Sequence, residues 1–249
     1  ATGEVELQLP TCREAIACWD STDRSSAATA GKRDSSKSTD LEQLFQALVL
    51  GVRDYADKCG FHRALLGLSG GIDSALVAVI AAAALGADRV QALLMPSPWS
   101  SIGSIDDAEA LAKRLGISTT TVPIQDLMQG FEATLTPALD QAPSGVTAEN
   151  LQSRIRGTLL MAVANQQGQL LLSTGNKSEL AVGYCTLYGD MNGGLAVIGD
   201  LYKSTVFSLC RWLDSPDAMA CRKELGLPEH NNLIGPEILN KPPSAELRP

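Results

Sequence analysis

The sequence predicts an α/β protein built on a doubly wound parallel sheet. Three observations carry this. Short, almost wholly apolar segments recur along the chain, as expected of strands buried on both faces. Segments with apolar residues at helical spacing lie between them, and this alternation argues for a parallel sheet covered by helices. The chain has 249 residues, 45% hydrophobic and 19% charged, enough for one sizeable core.

The elements follow in order. Residues 1–38, with the stretch "STDRSSAATAGKRDSSKS", are rich in Ser, Ala, Thr and charge. They are expected to be a partly disordered linker or the remnant of a preceding unit. "CREAIACW" at 12–19 reads as a short helix or as part of that remnant. Order is expected from Thr39, which has capping-box spacing to Glu42. A helix follows and closes at Gly60. Residues 63–69, "RALLGLS", form the first strand; a helix over 74–85 ends at Gly86. "RVQALLMPS" is the second strand, and 104–115 an amphipathic helix closed by Gly116. "ISTTTVP" is a β-branched strand. Residues 124–139 and 148–166 read as helices, "QLLLSTG" as a strand and 203–213 as a helix.

Ligands of such sheets bind beyond the carboxyl ends of the strands. Candidate motifs follow the strands ending at Leu68, Met95 and Leu172. In "SGGIDS", Gly70 and Gly71 permit positive φ and close approach to the backbone. The turn's N–H groups and the helix N-terminus form an anion nest, with Ser69 and Ser74 adding hydroxyls. The lysine of a Walker A loop is absent. Either this is a tight turn in which Asp73 faces the helix dipole, or the loop binds phosphates and Asp73 recruits a Mg²⁺ between itself and them. In "STGNKSE", Asn176 and Glu179 make a helix start; alternatively, Glu179 is a second carboxylate on the same metal. "YGDMNGG" is a glycine-rich turn with Asp190 solvated. Asn150, Arg154 and Arg156 open an otherwise apolar helix, as a solvated face or as phosphate ligands. Lys203 is an ordinary first-turn residue.

Other chemistries are disfavoured. A net charge of −8 argues against nucleic acid or anionic membranes as partners. The six scattered cysteines form no CxxC pair and only two histidines occur, so neither a zinc site nor a disulfide framework is expected, and the setting reads as cytoplasmic. Ser69 and Ser74 lack a His/Asp pattern, so no catalytic nucleophile is assigned. No signal peptide is visible, and the longest apolar stretch is too short to span a bilayer.

Taken together, the motifs resemble a known family. "SGGIDS" is similar to the loop of the N-type ATP pyrophosphatases, a Rossmann-like fold. Residues 39–249 look like the synthetase domain of the glutamine-dependent NAD synthetases. The matching stretches include "ENLQSRIRGTLLMAVAN", "LLLSTGNKSELAVGYCTLYGDMNGGLAVIGDLYKSTVF" and "KPPSAELRP". The resemblance implies that Ser69, Gly70, Gly71, Asp73 and Ser74 bind ATP phosphates. Met95 would line the adenine pocket, and Arg154, Thr174 and Lys203 would contact ATP. Asn150, Glu179, Tyr184, Cys185, Thr186, Leu187 and Asp190 would face deamido-NAD, with Asp73 and Glu179 on Mg²⁺. It implies a carbon–nitrogen ligase that adenylates deamido-NAD and amidates it with ammonia, free or passed from a glutaminase unit, and that pairs as a homodimer. The alternatives are a GMP synthetase-type pyrophosphatase and an ATP-binding fragment without turnover. Against the family pattern, the amidase domain has no counterpart here and the tail stops early. Trp99 also replaces a usual Tyr, and Pro98 a common basic residue.

Overall fold

Each apolar run becomes a strand and each periodic segment a helix in the computed structural model, which describes residues 7–20 and 39–242. The elements are α1 (Asp40–Cys59), β1 (Ala64–Gly67), α2 (Ile72–Leu85), β2 (Val90–Leu94), α3 (Ile102–Leu115), β3 (Ser118–Thr121), α4 (Gln125–Leu139), α5 (Val146–Gln167), β4 (Leu170–Ser173), α6 (Lys177–Val182), β5 (Leu195–Ala196), α7 (Lys203–Asp214), α8 (Met219–Glu224) and α9 (Pro236–Asn240). The helix boundaries follow local capping chemistry. Thr39 accepts the Glu42 N–H, and Gly60 and Gly116 close α1 and α3 in the left-handed conformation.

The five strands are parallel in the order β3-β2-β1-β4-β5. Alternate residues divide the core between two faces. Leu66, Leu94 and Leu172 pack with α1, α2 and α7. Leu65, Leu93 and Leu171 pack on the other face with Ala164 of α5. Small residues make α2 apolar all round, so it is buried on nearly every side. Arg53 of α1 donates to its last carbonyls, Ala84 and Ala83, at 3.2 and 3.4 Å.

Two expectations are corrected. The sheet is not covered throughout: β3 is the edge strand, and its Ser-Thr-Thr-Thr residues are exposed. Residues 12–19 form no helix; a turn at 11–12 leads into irregular chain, held by the Arg13–Glu224 ion pair. The remaining expectation for residues 1–38, and the end of "KPPSAELRP", lie largely outside the described residues. Among the described residues no helix is long and apolar enough to cross a membrane.

The chain runs outward from β1 to β2 and β3, then returns to place β4 on the other side of β1. The switch point therefore lies between the carboxyl ends of β1 and β4, where a crevice opens in such sheets. The two strongest motifs start there. Beyond them, Arg114 of α3 donates to the carbonyls of Leu233 and Ile234 at 2.9 and 2.5 Å. Asp214 of α7 accepts the N–H groups of Ile234 and Gly235 at 2.7 and 2.9 Å. This pair of clamps fixes the approach to α9.

Candidate active site at the switch point

The turn after β1 is organised by its own hydroxyls. Ser74 Oγ accepts the Ser69 N–H at 3.2 Å and donates to the Gly71 carbonyl at 3.0 Å. The Gly71 N–H donates to Ser69 Oγ at 3.3 Å. Gly70 sits at φ +77°, and a Cβ there would lie 2.1 Å from the carbonyl oxygen of Ser104. Glycine is thus required for both conformation and space. Gly71 caps α2 without any side-chain hydrogen bond, so no side chain occupies the helix start, which suits an anion site.

The turn after β4 meets it. Asn176, fully buried, accepts the Glu179 N–H on Oδ1, and Glu179 Oε2 accepts the Asn176 N–H, both at 3.0 Å; this is a complete capping box. Asn176 Nδ2 then donates to Asp73 Oδ1 at 3.0 Å, across 103 residues of sequence. The other Asp73 oxygen is ion-paired with Lys203, at the start of α7. The Lys203 N–H donates to Ser178 Oγ at 3.0 Å, which joins α7 to α6. Asp73, Asn176, Glu179 and Lys203 therefore share one place.

Sequence reasoning did not select Asn176 as a site residue, having read it as a cap alone. A signal existed: Asp, Ser or Thr would cap as well, but only Asn adds an amide donor that can reach a carboxylate.

A second cluster adjoins the first. Asn150 Oδ1 accepts from Thr186 Oγ1 at 2.8 Å, and Asp190 Oδ1 accepts the Thr186 N–H at 2.7 Å. Ser153 Oγ accepts the Asp190 N–H at 3.0 Å, and Arg154 Nε donates to the Leu187 carbonyl at 3.2 Å. These bonds dock the turn at 184–192 on α5. Gly157 and Gly189 make the close approach possible: a Cβ at Gly157 would meet the Gly189 carbonyl at 2.7 Å. Tyr184 and Leu187 are exposed; Cys185 is half-buried. Ser173 Oγ donates to the Asp190 carbonyl at 3.3 Å and so bridges the two clusters. Thr174 and Met95 lie half-buried at the ends of β4 and β2. Arg156 Nε donates to the Met95 carbonyl at 3.1 Å.

The electrostatics favour a cation. Desolvation raises the Glu179 pKa, and the like charges of Asp73 and Asp190 add to it, against the opposing Asn176 N–H and Lys203. Desolvation likewise raises that of Asp190, although the residue as a whole is exposed, as the sequence suggested. Cys221 is pushed up to about 11, and Cys210 is raised too, in both cases first by burial; neither is an activated thiolate.

No group of three or more His, Cys, Asp or Glu side chains able to hold a metal occurs among the described residues. Two neighbouring carboxylates nonetheless fit Mg²⁺, which usually takes one or two protein carboxylates and fills its shell with water and substrate phosphates. A site ready for Mg²⁺ complexed to a nucleotide has this composition.

The raised Glu179 pKa yields a testable sign. A carboxyl whose folded pKa exceeds its unfolded value opposes folding when ionised, and that penalty fades as pH falls through the folded pKa towards the ordinary one. Glu179→Gln, which keeps an oxygen for the Asn176 N–H, is expected to raise the melting temperature of the free protein at pH 8. Near pH 4 the difference should vanish. Thermal melts of both proteins at the two pH values check this.

Comparison with known proteins adds independent information. A family model described as NAD synthase matches residues 44–249. A glutamine-dependent NAD(+) synthetase from Synechocystis sp. is 54% identical over 247 residues, covering 99% of this chain and 42% of that protein. Among solved structures, a glutamine-dependent NAD+ synthetase from Acinetobacter baumannii, in complex with ADP, is 44% identical with a TM-score of 0.74. That match covers 83% of this chain and 37% of the other. An NMN synthetase from Francisella tularensis is 30% identical with a TM-score of 0.69, covering 84% of this chain and 77% of that one. The chain spans less than half the length of the curated relatives it matches.

Proposed function

Because the chain belongs to the NAD synthase family, we propose that residues 39–249 are a synthetase unit that amidates deamido-NAD at the expense of ATP, and that residues 1–38 connect it to a preceding unit. The observation that carries this reading is the meeting of Asp73, Glu179 and Lys203 at the mouth of the phosphate loop. The A. baumannii relative was solved in complex with ADP, which supports nucleotide binding in this family.

The chemistry follows from what the site offers. The nicotinate carboxylate attacks the α-phosphorus of ATP, forming an acyl-adenylate and releasing pyrophosphate. Ammonia then attacks the acyl carbon; AMP leaves and one proton is lost, giving the amide. A free carboxylate is a poor acyl donor to ammonia, and forming the mixed anhydride with AMP supplies the leaving group. The protein's task is positioning and charge neutralisation, with no covalent nucleophile. The turn at residues 69–74 and the start of α2 cradle the phosphates, with the Ser69 and Ser74 hydroxyls shaping the turn. Lys203 moves from Asp73 to phosphate oxygens as the nucleotide arrives, and Arg154 and Thr174 add donors. Asp73 and Glu179 would hold Mg²⁺, which when bound would neutralise phosphate charge. Met95 lines the adenine pocket. Asn150, Asp190 and the turn of Tyr184, Cys185, Thr186 and Leu187 receive the dinucleotide. The exposed Leu180, Val182, Tyr184, Leu187 and Tyr188 support a homodimer paired beside this turn, which light scattering tests. Ammonia comes from solution or from a glutaminase unit, and the setting is cytoplasmic.

A second reading, amidation of the mononucleotide, is favoured by the match to an NMN synthetase across most of that protein's length. One experiment separates them. The chain is mixed with Mg²⁺-ATP, an ammonium salt and one of deamido-NAD, nicotinate mononucleotide or xanthosine monophosphate, and AMP and the amide are followed together. Equal amounts of NAD and AMP, with deamido-NAD only, are expected. AMP with nicotinate mononucleotide alone supports the second reading, and AMP with xanthosine monophosphate moves the chain to the GMP synthetase type. ATP binding by calorimetry without AMP in any sample identifies a unit that binds but does not turn over.

A further inference from the structure

The outer wall of the phosphate loop is the first turn of α3. Gly70 lies so close to it that any Cβ would fall 2.1 Å from the Ser104 carbonyl oxygen, 2.9 Å from its carbon and 3.0 Å from the Ser104 Cα. Ser104 is buried. The loop's shape therefore depends on where that turn sits. The turn is held from two directions. From within, Ser101 Oγ accepts the Ser104 N–H at 3.1 Å. From outside, Lys241 just after α9 donates to Ser104 Oγ at 3.1 Å and is ion-paired with Asp107, one helical turn further along α3. Only 25% of the Lys241 side chain and 14% of that of Asp107 is exposed, so water screens this pair less than a surface pair. Lys241 does not swing freely to reach it, because the Arg114 and Asp214 clamps fix the chain before α9.

We propose that Lys241 is a positioning residue for the phosphate loop. By clamping Ser104 and Asp107 it holds the first turn of α3 against Gly70 and keeps the loop in its nucleotide-binding shape. The motifs around the site gave Lys241 no role, and it acts through α3 without touching the nucleotide. The inference rests on the loop being the ATP site.

The test measures binding of Mg²⁺-ATP and of deamido-NAD to the full chain by calorimetry, with Michaelis constants for both. Lys241→Met is expected to weaken ATP binding about tenfold (about 1.4 kcal/mol), raising its KM while that for deamido-NAD stays within about twofold. Lys241→Arg should recover most of the loss. Asp107→Asn should weaken ATP binding too, and combining it with Lys241→Met should cost little more than either alone, as expected of partners in one contact. Should Lys241→Met fail to fold, Asp107→Asn and the arginine variant carry the same test.

Three results would overturn the proposal: unchanged ATP affinity in a folded Lys241→Met, equal losses for both ligands, or undiminished ATP affinity in Asp107→Asn. The last would mean that Lys241 serves the nucleotide directly. A wild-type chain that binds no ATP overturns the nucleotide-site reading itself, which is a different failure.

Discussion

Asp73→Asn is expected to lower kcat/KM for ATP by about a thousandfold or more, equivalent to about 4 kcal/mol of transition-state stabilisation. The asparagine keeps an oxygen for Asn176 Nδ2, so the capping box and the turn after β4 should survive. What disappears is the charge. In the free protein that charge is balanced by Lys203, and in the complex proposed above it would bind Mg²⁺ on the phosphates. Without it the lysine loses its partner, and the site is one carboxylate short for the cation. The same loss removes a like charge beside Glu179, whose raised pKa should fall towards the ordinary value. A steady-state assay of AMP release, with titration of Mg²⁺, checks the prediction. A variant with near-normal turnover at saturating Mg²⁺ would mean that Asp73 is only a helix-start residue.

Gly70→Ala acts through the backbone. At φ +77° a residue with a Cβ carries a conformational cost of about 1–2 kcal/mol. The added carbon would also overlap the Ser104 carbonyl, which must move; overpacking of this kind costs about 1–3 kcal/mol. The sum, about 2–5 kcal/mol, should appear as a lower urea midpoint at unchanged slope. ATP affinity should fall more steeply than stability, because relief comes only by pushing α3 away from the loop. Gly71→Ala is the control: its nearest contact would be Ser69 Oγ at 3.3 Å, with no positive φ, so a far smaller effect is expected.

Much of this was legible along the chain. The central strands β1, β2 and β4 are buried, and their apolar runs say so directly. Caps at Thr39, Gly60, Gly86 and Gly116 announced helix ends because backbone geometry there admits few residue types. The glycines of "SGGIDS" marked the loop for the same reason. The edge strand misled: Ser118–Thr121 has β-branched residues, and β propensity does not distinguish a covered strand from an exposed one. Two-residue β5 and the short α8 and α9 carry too few residues to show a period. Within the site, the carboxylates were visible as motif positions. The tie from Asn176 to Asp73 and the Lys203 ion pair were not, because they join residues 103 and 130 positions apart and local pattern says nothing about such distances.

The place of β1 in the sheet has a consequence for biogenesis. Its residues 64–67 pair with β2 on one side, soon in sequence, but the other edge waits for residues 170–172. While the ribosome adds the hundred or so residues between them, a half-sheet of β1, β2 and β3 stands with the Ala-Leu-Leu edge of its most apolar strand unpaired. Open edges of this kind recruit other chains. The ends of α1 and α2 can be secured early, whereas Asp73 can meet Asn176 only after β4 has emerged and Lys203 only after α7 has begun. Nascent chains arrested before residue 170 should therefore engage holdase chaperones, and chains arrested well past residue 214 should not. Nucleotide competence arrives late and all at once, as a sign that synthesis of the sheet has finished.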